Sequence, residues 1–174
     1  MATAAIHGVQ DDIAEHAHLM PIYATSTFTF DSAEQGMDRF SGKEPGFIYS
    51  RFGNPTTSAA AQLVAALETH GLKTATGEPM EAHAFLTSSG QAALAAMLMS
   101  LVKAGDTIIS DHVLYGGSYE FLNNFLPAFG VRTVFINITD LNALENALKN
   151  DPSVRLIHIE TPANPLMQCT DMEA

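Results

Sequence analysis

Beyond Pro55 the chain alternates short apolar runs with segments of helical periodicity, and this rhythm limits the folds open to it more than any other feature of the sequence. Thr57 or Ser58 is placed to cap a helix through AAAQLVAALETHG, in which Leu63, Ala66, Leu67 and His70 recur at helical spacing and Gly71 supplies a stop. Ala82–Thr87 then reads as a short buried strand, followed by the turn and Ala- and Met-rich helix of SSGQAALAAMLMSLVKAG. The strand TIIS, a helix over Leu114–Phe129, the strand RTVFIN, a helix over Leu141–Lys149 and the strand VRLIHIE complete the series. Four apolar strands separated by helices predict an α/β layer with a largely parallel sheet. Right-handed crossovers bring the strand ends to one edge, where ligands commonly sit, so the loops Thr87–Gln91, Ser110–Gly117 and Glu160–Pro165 become the places to look for chemistry.

Residues 1–56 have a different character. They are rich in His, Thr, Ser, Gly and aromatics, and Pro21, Pro45 and Pro55 interrupt any long helix. A short helix is expected over Asp12–His18, and the remainder reads as an arm whose aromatics, Tyr49 and Phe52 among them, cover a surface of its own domain or of a second subunit. The domain division expected is therefore an arm over 1–56 and the first part of a larger domain over 57–174. Asp171 and Glu173 suit the start of a further helix, so the domain is expected to be incomplete.

Charge narrows the partners. Nineteen acidic residues against eight basic ones give a net charge of −11, and no run of Lys or Arg offers the basic face that nucleic acid requires. The sequence has no signal-peptide pattern and no stretch approaching the roughly 18 apolar residues of a membrane span, so a cytoplasmic setting without membrane contact is expected. Cys169 is the single cysteine, which excludes an internal disulfide. His16 and His18 form H-x-H, but neither HExxH nor cysteine–histidine spacing is present, and no metal site is expected. A nicotinamide dehydrogenase would lack its G-x-G-x-x-G turn here, and a serine hydrolase its G-x-S-x-G elbow.

Four phrases carry groups suited to chemistry. In TSSGQAA, Gly90 permits a tight strand-to-helix turn, and the N–H groups of Gly90 and Gln91 with the hydroxyls of Ser88 and Ser89 can face an anion; the same residues also make an ordinary helix start. In YSRFGNP, alternation can send Tyr49 and Arg51 to one face as a phenol and a guanidinium fork for phosphate oxygens, although a surface ion pair would also employ Arg51. In LYGGSY, Tyr115 can lie against a planar ligand, or simply close the core above a glycine turn. In ETPANP, Glu160 ends a strand and Asn164 stands between prolines that restrict its backbone, as a ligand-orienting amide or as plain loop.

Taken in order, IYATSTF, FIYSRFGNPT, SSGQAA, KAGD, LYGGSY, FGV and ETPANP resemble the pyridoxal-phosphate enzymes of cysteine and methionine metabolism, which include cystathionine gamma-synthase, cystathionine gamma-lyase, methionine gamma-lyase and O-acetylhomoserine sulfhydrylase. The resemblance runs from about Pro21 to the last residue. It implies an incomplete three-layer α/β/α domain of the aspartate-aminotransferase-like fold, pyridoxal 5′-phosphate as cofactor, an amino-acid substrate and self-association as a dimer or tetramer. It further implies that Tyr49 and Arg51 reach a neighbouring subunit's cofactor phosphate, and that Ser89, Gly90 and Gln91 form the phosphate loop within the subunit. By the same resemblance Tyr115 stacks on the pyridine and assists proton movement, while Asn164 lies near the phenolic oxygen with Glu160 as its supporting acid. Family members take the Schiff-base lysine, in a Ser-x-Thr-Lys phrase, from sequence beyond position 174; Lys43, Lys73, Lys103 and Lys149 do not match it. Methionine gamma-lyases often have Cys where this chain has Gly117, and some have Met where it has Gln91, so these two positions look more like the synthase, sulfhydrylase and cystathionine-lyase branches. The activity implied is elimination or replacement of a γ substituent, with a catalytically inactive fragment of such an enzyme as the alternative.

Overall fold

A computed structural model describes residues 17–172, which divide into two compact units between Leu86 and Thr87. The expected Asp12–His18 helix lies mostly outside the described residues, as does Glu173; Ala17 and His18 themselves are not helical.

In the first unit, helix α1 spans Ala33–Phe40. It was not anticipated, although its start is written in the sequence: the Ser32 hydroxyl accepts from the Gln35 N–H, and the Gln35 side chain accepts in return from the N–H of Asp31. Helix α2 spans Pro55–Glu68. Its cap is Asn54 rather than Thr57 or Ser58, because Asn54 Oδ1 takes the Thr56 N–H at 2.9 Å and Pro55, with φ fixed and no N–H to satisfy, suits the first helical position. Asn54 is buried, and its amide also donates to the Tyr23 carbonyl and the Ser50 hydroxyl, which ties the arm to the head of α2. Residues 82–87 form no strand, contrary to expectation, and Phe85 is 85% exposed. An extended segment becomes a strand only beside a partner that completes its hydrogen-bond ladder, and the described residues give it none.

The second unit opens with helix α3, Gly90–Leu101, capped by Ser89 through its hydroxyl and the Ala92 N–H. Strands β1 (Thr107–Asp111), β2 (Arg132–Ile136) and β3 (Val154–His158) pair in parallel in the order β2-β1-β3. β1 is buried along its whole length, as a central parallel strand must be. Between β1 and β2 the expected single helix breaks into α4 (Gly116–Glu120), a π-helical turn (Phe121–Phe125) and a 3-10 turn (Leu126–Phe129). Pro127 has no N–H to continue an α-helical ladder, and Gly130, at φ +75°, ends the segment. Phe121, Phe125 and Phe129 stack along it at ring separations of 4.9 Å. Helix α5, Leu141–Asn150, is capped by Asp140 and leads to β3.

Leu98 of α3, Ile108 of β1, Leu122, Leu126 and Val131 form the buried core of this unit, with Leu94, Leu114, Phe135 and Leu156 packed around it. The chain leaves β1 toward β2 on one side and returns by α5 to β3 on the other. The C-terminal ends of β1 and β3 therefore flank a topological switch point, where an open α/β sheet presents its ligand crevice.

Candidate active site

Three segments meet at that edge. Tyr115 stands four residues past β1 and directly before α4, with its side chain half exposed. Glu160 stands two residues past β3, and its carboxylate accepts the Tyr115 backbone N–H at 2.7 Å, bridging the two strand ends. The head of α3 joins them through Gly117. A Cβ built on Gly117 would lie 2.7 Å from both Gln91 Nε2 and Tyr115 Cε1, so the Gln91 amide and the Tyr115 ring edge already fill the space above that α-carbon. Only glycine lets both approach so closely.

The α3 terminus has the donors an anion needs. Ser89 uses its hydroxyl as the cap, Thr87 donates to the Ser89 carbonyl, and the N–H groups of Gly90 and Gln91, being in the first turn, have no intrahelical acceptor. Gly90 is exposed with nothing within 4 Å of a built Cβ, which leaves the approach to those amides open. The helix dipole adds a positive field at the same place.

Beneath Tyr115 and Glu160 lies a polar layer the sequence reading passed over. Ser110 Oγ and His158 Nδ1 are 3.2 Å apart and buried between β1 and β3. Burial holds the His158 imidazole below its usual pKa, and the Glu160 charge only partly opposes this. Asp111, also buried, accepts the Val113 N–H at 3.3 Å and faces His112 Nδ1 at 3.1 Å, fixing the chain as it turns out of β1. The available signal was a polar residue near the C-terminal end of each strand, Ser110 after the apolar pair Ile108–Ile109 and His158 after Leu156–Ile157.

Asn164 is exposed on a tight loop in which the Ala163 N–H donates to the Gln168 carbonyl and the Met167 N–H to the Ala163 carbonyl. The Glu160 carboxylate takes its hydrogen bond from the Tyr115 backbone rather than from the Asn164 amide. Tyr49 and Arg51 belong to the first unit, where the Arg51 guanidinium carbon lies 4.9 Å over the Tyr49 ring. Among the described residues no three His, Cys, Asp or Glu side chains form a group able to hold a metal ion, and no helix is long and apolar enough to cross a membrane.

An open parallel sheet with a Ser-capped helix head, a half-exposed tyrosine and an acid at its switch point has the layout of α/β proteins that hold a ligand at the strand ends. Residues 2–174 match the model of the Cys/Met metabolism PLP-dependent enzyme family, and the chain belongs to that family. It is similar to an L-methionine gamma-lyase of Fusobacterium nucleatum subsp. polymorphum, 40% identical over 174 residues that cover all of this chain and 41% of that protein. A homocysteine synthase of Schizosaccharomyces pombe is 38% identical over 172 residues, 98% of this chain and 37% of the relative. Among solved structures, a Campylobacter jejuni protein assigned as an O-acetylhomoserine (thiol)-lyase and carrying N′-pyridoxyl-lysine-5′-monophosphate superposes with a TM-score of 0.84 at 29% identity, over 98% of this chain and 39% of that one. Cystathionine gamma-lyase of Lactobacillus plantarum, complexed with L-serine, gives a TM-score of 0.77 at 35% identity, over 97% and 38%. The chain thus spans about two fifths of the length of the relatives it matches. The architecture is a partial domain of the aspartate-aminotransferase-like fold. The relatives' names include both lyases and synthases, so they support γ-elimination and γ-replacement chemistry as a group rather than one reaction.

Proposed function

We propose that the protein carrying this sequence is a pyridoxal-phosphate enzyme that eliminates or replaces the γ substituent of a sulfur amino acid or an O-acylated homoserine. The observation that carries this reading is the meeting of the α3 head, the Tyr115 ring and the Glu160 carboxylate at one end of β1 and β3.

The residues present fit the cofactor. The Gly90 and Gln91 amides would receive its phosphate beside the Ser89 cap, and the half-exposed Tyr115 ring offers a flat face to its pyridine. Glu160 holds the Tyr115 backbone and so limits where that ring can lie. The Tyr115 phenol can hold or pass a proton at the reacting carbon, and the Asn164 amide would orient the cofactor's phenolic oxygen. Tyr49 and Arg51 would serve the phosphate from a second copy of the chain, which makes the working form a dimer, alone or paired with another into a tetramer. Bound pyridoxal phosphate supplies an electron sink for the charge left when the substrate's α proton departs. Gly117, with the Gln91 amide seated on it, favours a synthase, sulfhydrylase or cystathionine-lyase type of substrate, and a cytoplasmic setting goes with this chemistry.

A second reading rests on the lysines. Lys103 follows α3 and Lys149 ends α5, both next to the N-terminal edge of the sheet, while Lys43 and Lys73 belong to the first unit. Neither Lys103 nor Lys149 stands where Tyr115 and Glu160 meet, and none of the four lysines lies in a Ser-x-Thr-Lys phrase, so residues 1–174 alone would bind the cofactor without covalent attachment or turnover.

Borohydride reduction of the purified protein with pyridoxal phosphate, followed by intact mass and peptide mapping, separates the two readings. The first expects cofactor on a lysine outside these 174 residues, together with 2-oxo acid or thioether from methionine, cystathionine or O-acetylhomoserine. Background values with every substrate would sink it; an unmodified 18.6 kDa chain would favour the second reading.

A further inference from the structure

Arg51 packs its guanidinium against two neighbouring rings. Its guanidinium carbon is 4.9 Å from the centre of Tyr49 and 5.4 Å from that of Phe52, and the two rings stand 6.2 Å apart, edge to face. The backbone makes this possible: the N–H groups of Phe52 and Gly53 both donate to the Tyr49 carbonyl, at 2.8 and 3.2 Å, folding three side chains into one cluster. Asn54 then anchors the end of the turn from a buried position. Phe52 is 72% exposed, so its ring does not fill the core of the first unit.

A ring is a particular kind of support for arginine. An acidic partner would occupy N–H donors of the guanidinium, whereas an aromatic face holds the cation through its π surface and leaves the planar donor fork free. The side chain is then ordered before an anion arrives, and less rotamer freedom is lost on binding.

We propose that Phe52 is a positioning residue for phosphate recognition: its ring, with that of Tyr49, holds the Arg51 guanidinium so that its N–H edge faces the oxyanion. This rests on the reading that Arg51 serves the cofactor phosphate.

The test uses the full protein in its native assembly, stripped of cofactor and titrated by absorbance with pyridoxal phosphate and, separately, with pyridoxal, which lacks the phosphate. Phe52→Leu keeps apolar bulk and removes the π face; Phe52→Tyr keeps the face. Phe52→Leu is expected to weaken pyridoxal phosphate binding by about three- to tenfold with pyridoxal binding unchanged, and Phe52→Tyr to match the wild type for both. Equal losses for the two ligands, no loss in Phe52→Leu, or a Tyr variant as weak as the Leu variant would each overturn the proposal. Arg51→Ala separates this from the underlying reading. If it leaves the preference for the phosphorylated ligand intact, the phosphate role of Arg51 falls and the role of Phe52 with it; if it abolishes that preference while Phe52→Leu does not alter it, Phe52 alone is wrongly placed.

Discussion

The carboxylate of Glu160 accepts the backbone N–H of Tyr115 across 45 positions of sequence, at 2.7 Å. One bond thereby joins the loop that leaves β1 to the loop that leaves β3. A side chain that holds a neighbour's backbone sets where that neighbour's own side chain begins, and Tyr115 is the residue whose ring placement the proposed chemistry needs most.

Glu160→Ala is expected to leave that N–H without its protein acceptor, and to lower turnover of the full enzyme about tenfold through a misplaced ring, with a modest loss of stability of about 1 kcal/mol. Glu160→Gln, whose amide oxygen can still accept, should retain most of both. Near-ultraviolet circular dichroism of the bound cofactor reports ring placement; identical spectra for the Ala variant and the wild type would show that the bond does not orient Tyr115.

Gly117→Ala places a methyl 2.7 Å from Gln91 Nε2 and Tyr115 Cε1. The flexible Gln91 tip can yield, but the tyrosine edge must move as well, and a cost of about 1–3 kcal/mol is expected. Adding Gln91→Ala should recover part of it. A double-mutant cycle from chemical denaturation checks this, and strict additivity of the two substitutions would mean that Gln91 and Gly117 are not coupled.

His158 predicts an acid-side loss of stability. Its folded pKa lies below the unfolded value of about 6.5, because burial opposes the charged ring. Between those two values the unfolded chain binds more protons, so stability is full above about pH 6.5 and declines as the pH falls through the folded value. Ser110 and Glu160 are the polar and charged groups that bear on the ring. His158→Gln should flatten this part of the stability–pH curve, and an unchanged slope in that variant would assign the effect to other groups.

Asn54→Ala removes the α2 cap and frees the Tyr23 carbonyl and Ser50 hydroxyl together. A loss of about 1–2 kcal/mol is expected. Asn54→Asp should keep the cap yet lose the two donated bonds, so a variant series followed by thermal melting separates the roles; an Asp variant as stable as wild type would mean that the arm is not held through Asn54.

Periodicity located β1, β2, α5 and β3 to within a residue or two, because each is long enough to show its own spacing; it found the start of α3 but carried it on to Gly105, whereas the helix ends at Leu101. It misjudged residues 82–87, where apolar character was present and a partner strand was not, since a strand's existence depends on a neighbour that spacing within the segment cannot reveal. It also joined Leu114–Phe129 into one helix, although Pro127 sits where the α-helical ladder must fail. In the candidate site, the phrases around Gly90, Tyr115 and Glu160 were legible as chemistry. The bond from Glu160 to the Tyr115 backbone was not, because a main-chain donor leaves no trace in residue identity. Ser110 and His158 were visible as letters only; their pairing required knowing that β1 and β3 lie side by side.

The strand order β2-β1-β3 also has a temporal side. β1 can zip to β2 after a loop of some twenty residues closes, whereas the connection from β2 must cross β1 before β3 can reach its opposite flank. Closure entropy grows only slowly with loop length, yet pairings between distant segments are the slow ones in folding. The crevice therefore has one wall early and gains the other only when the last of these strands docks, so that capture of a ligand there reports β3 in place beside β1.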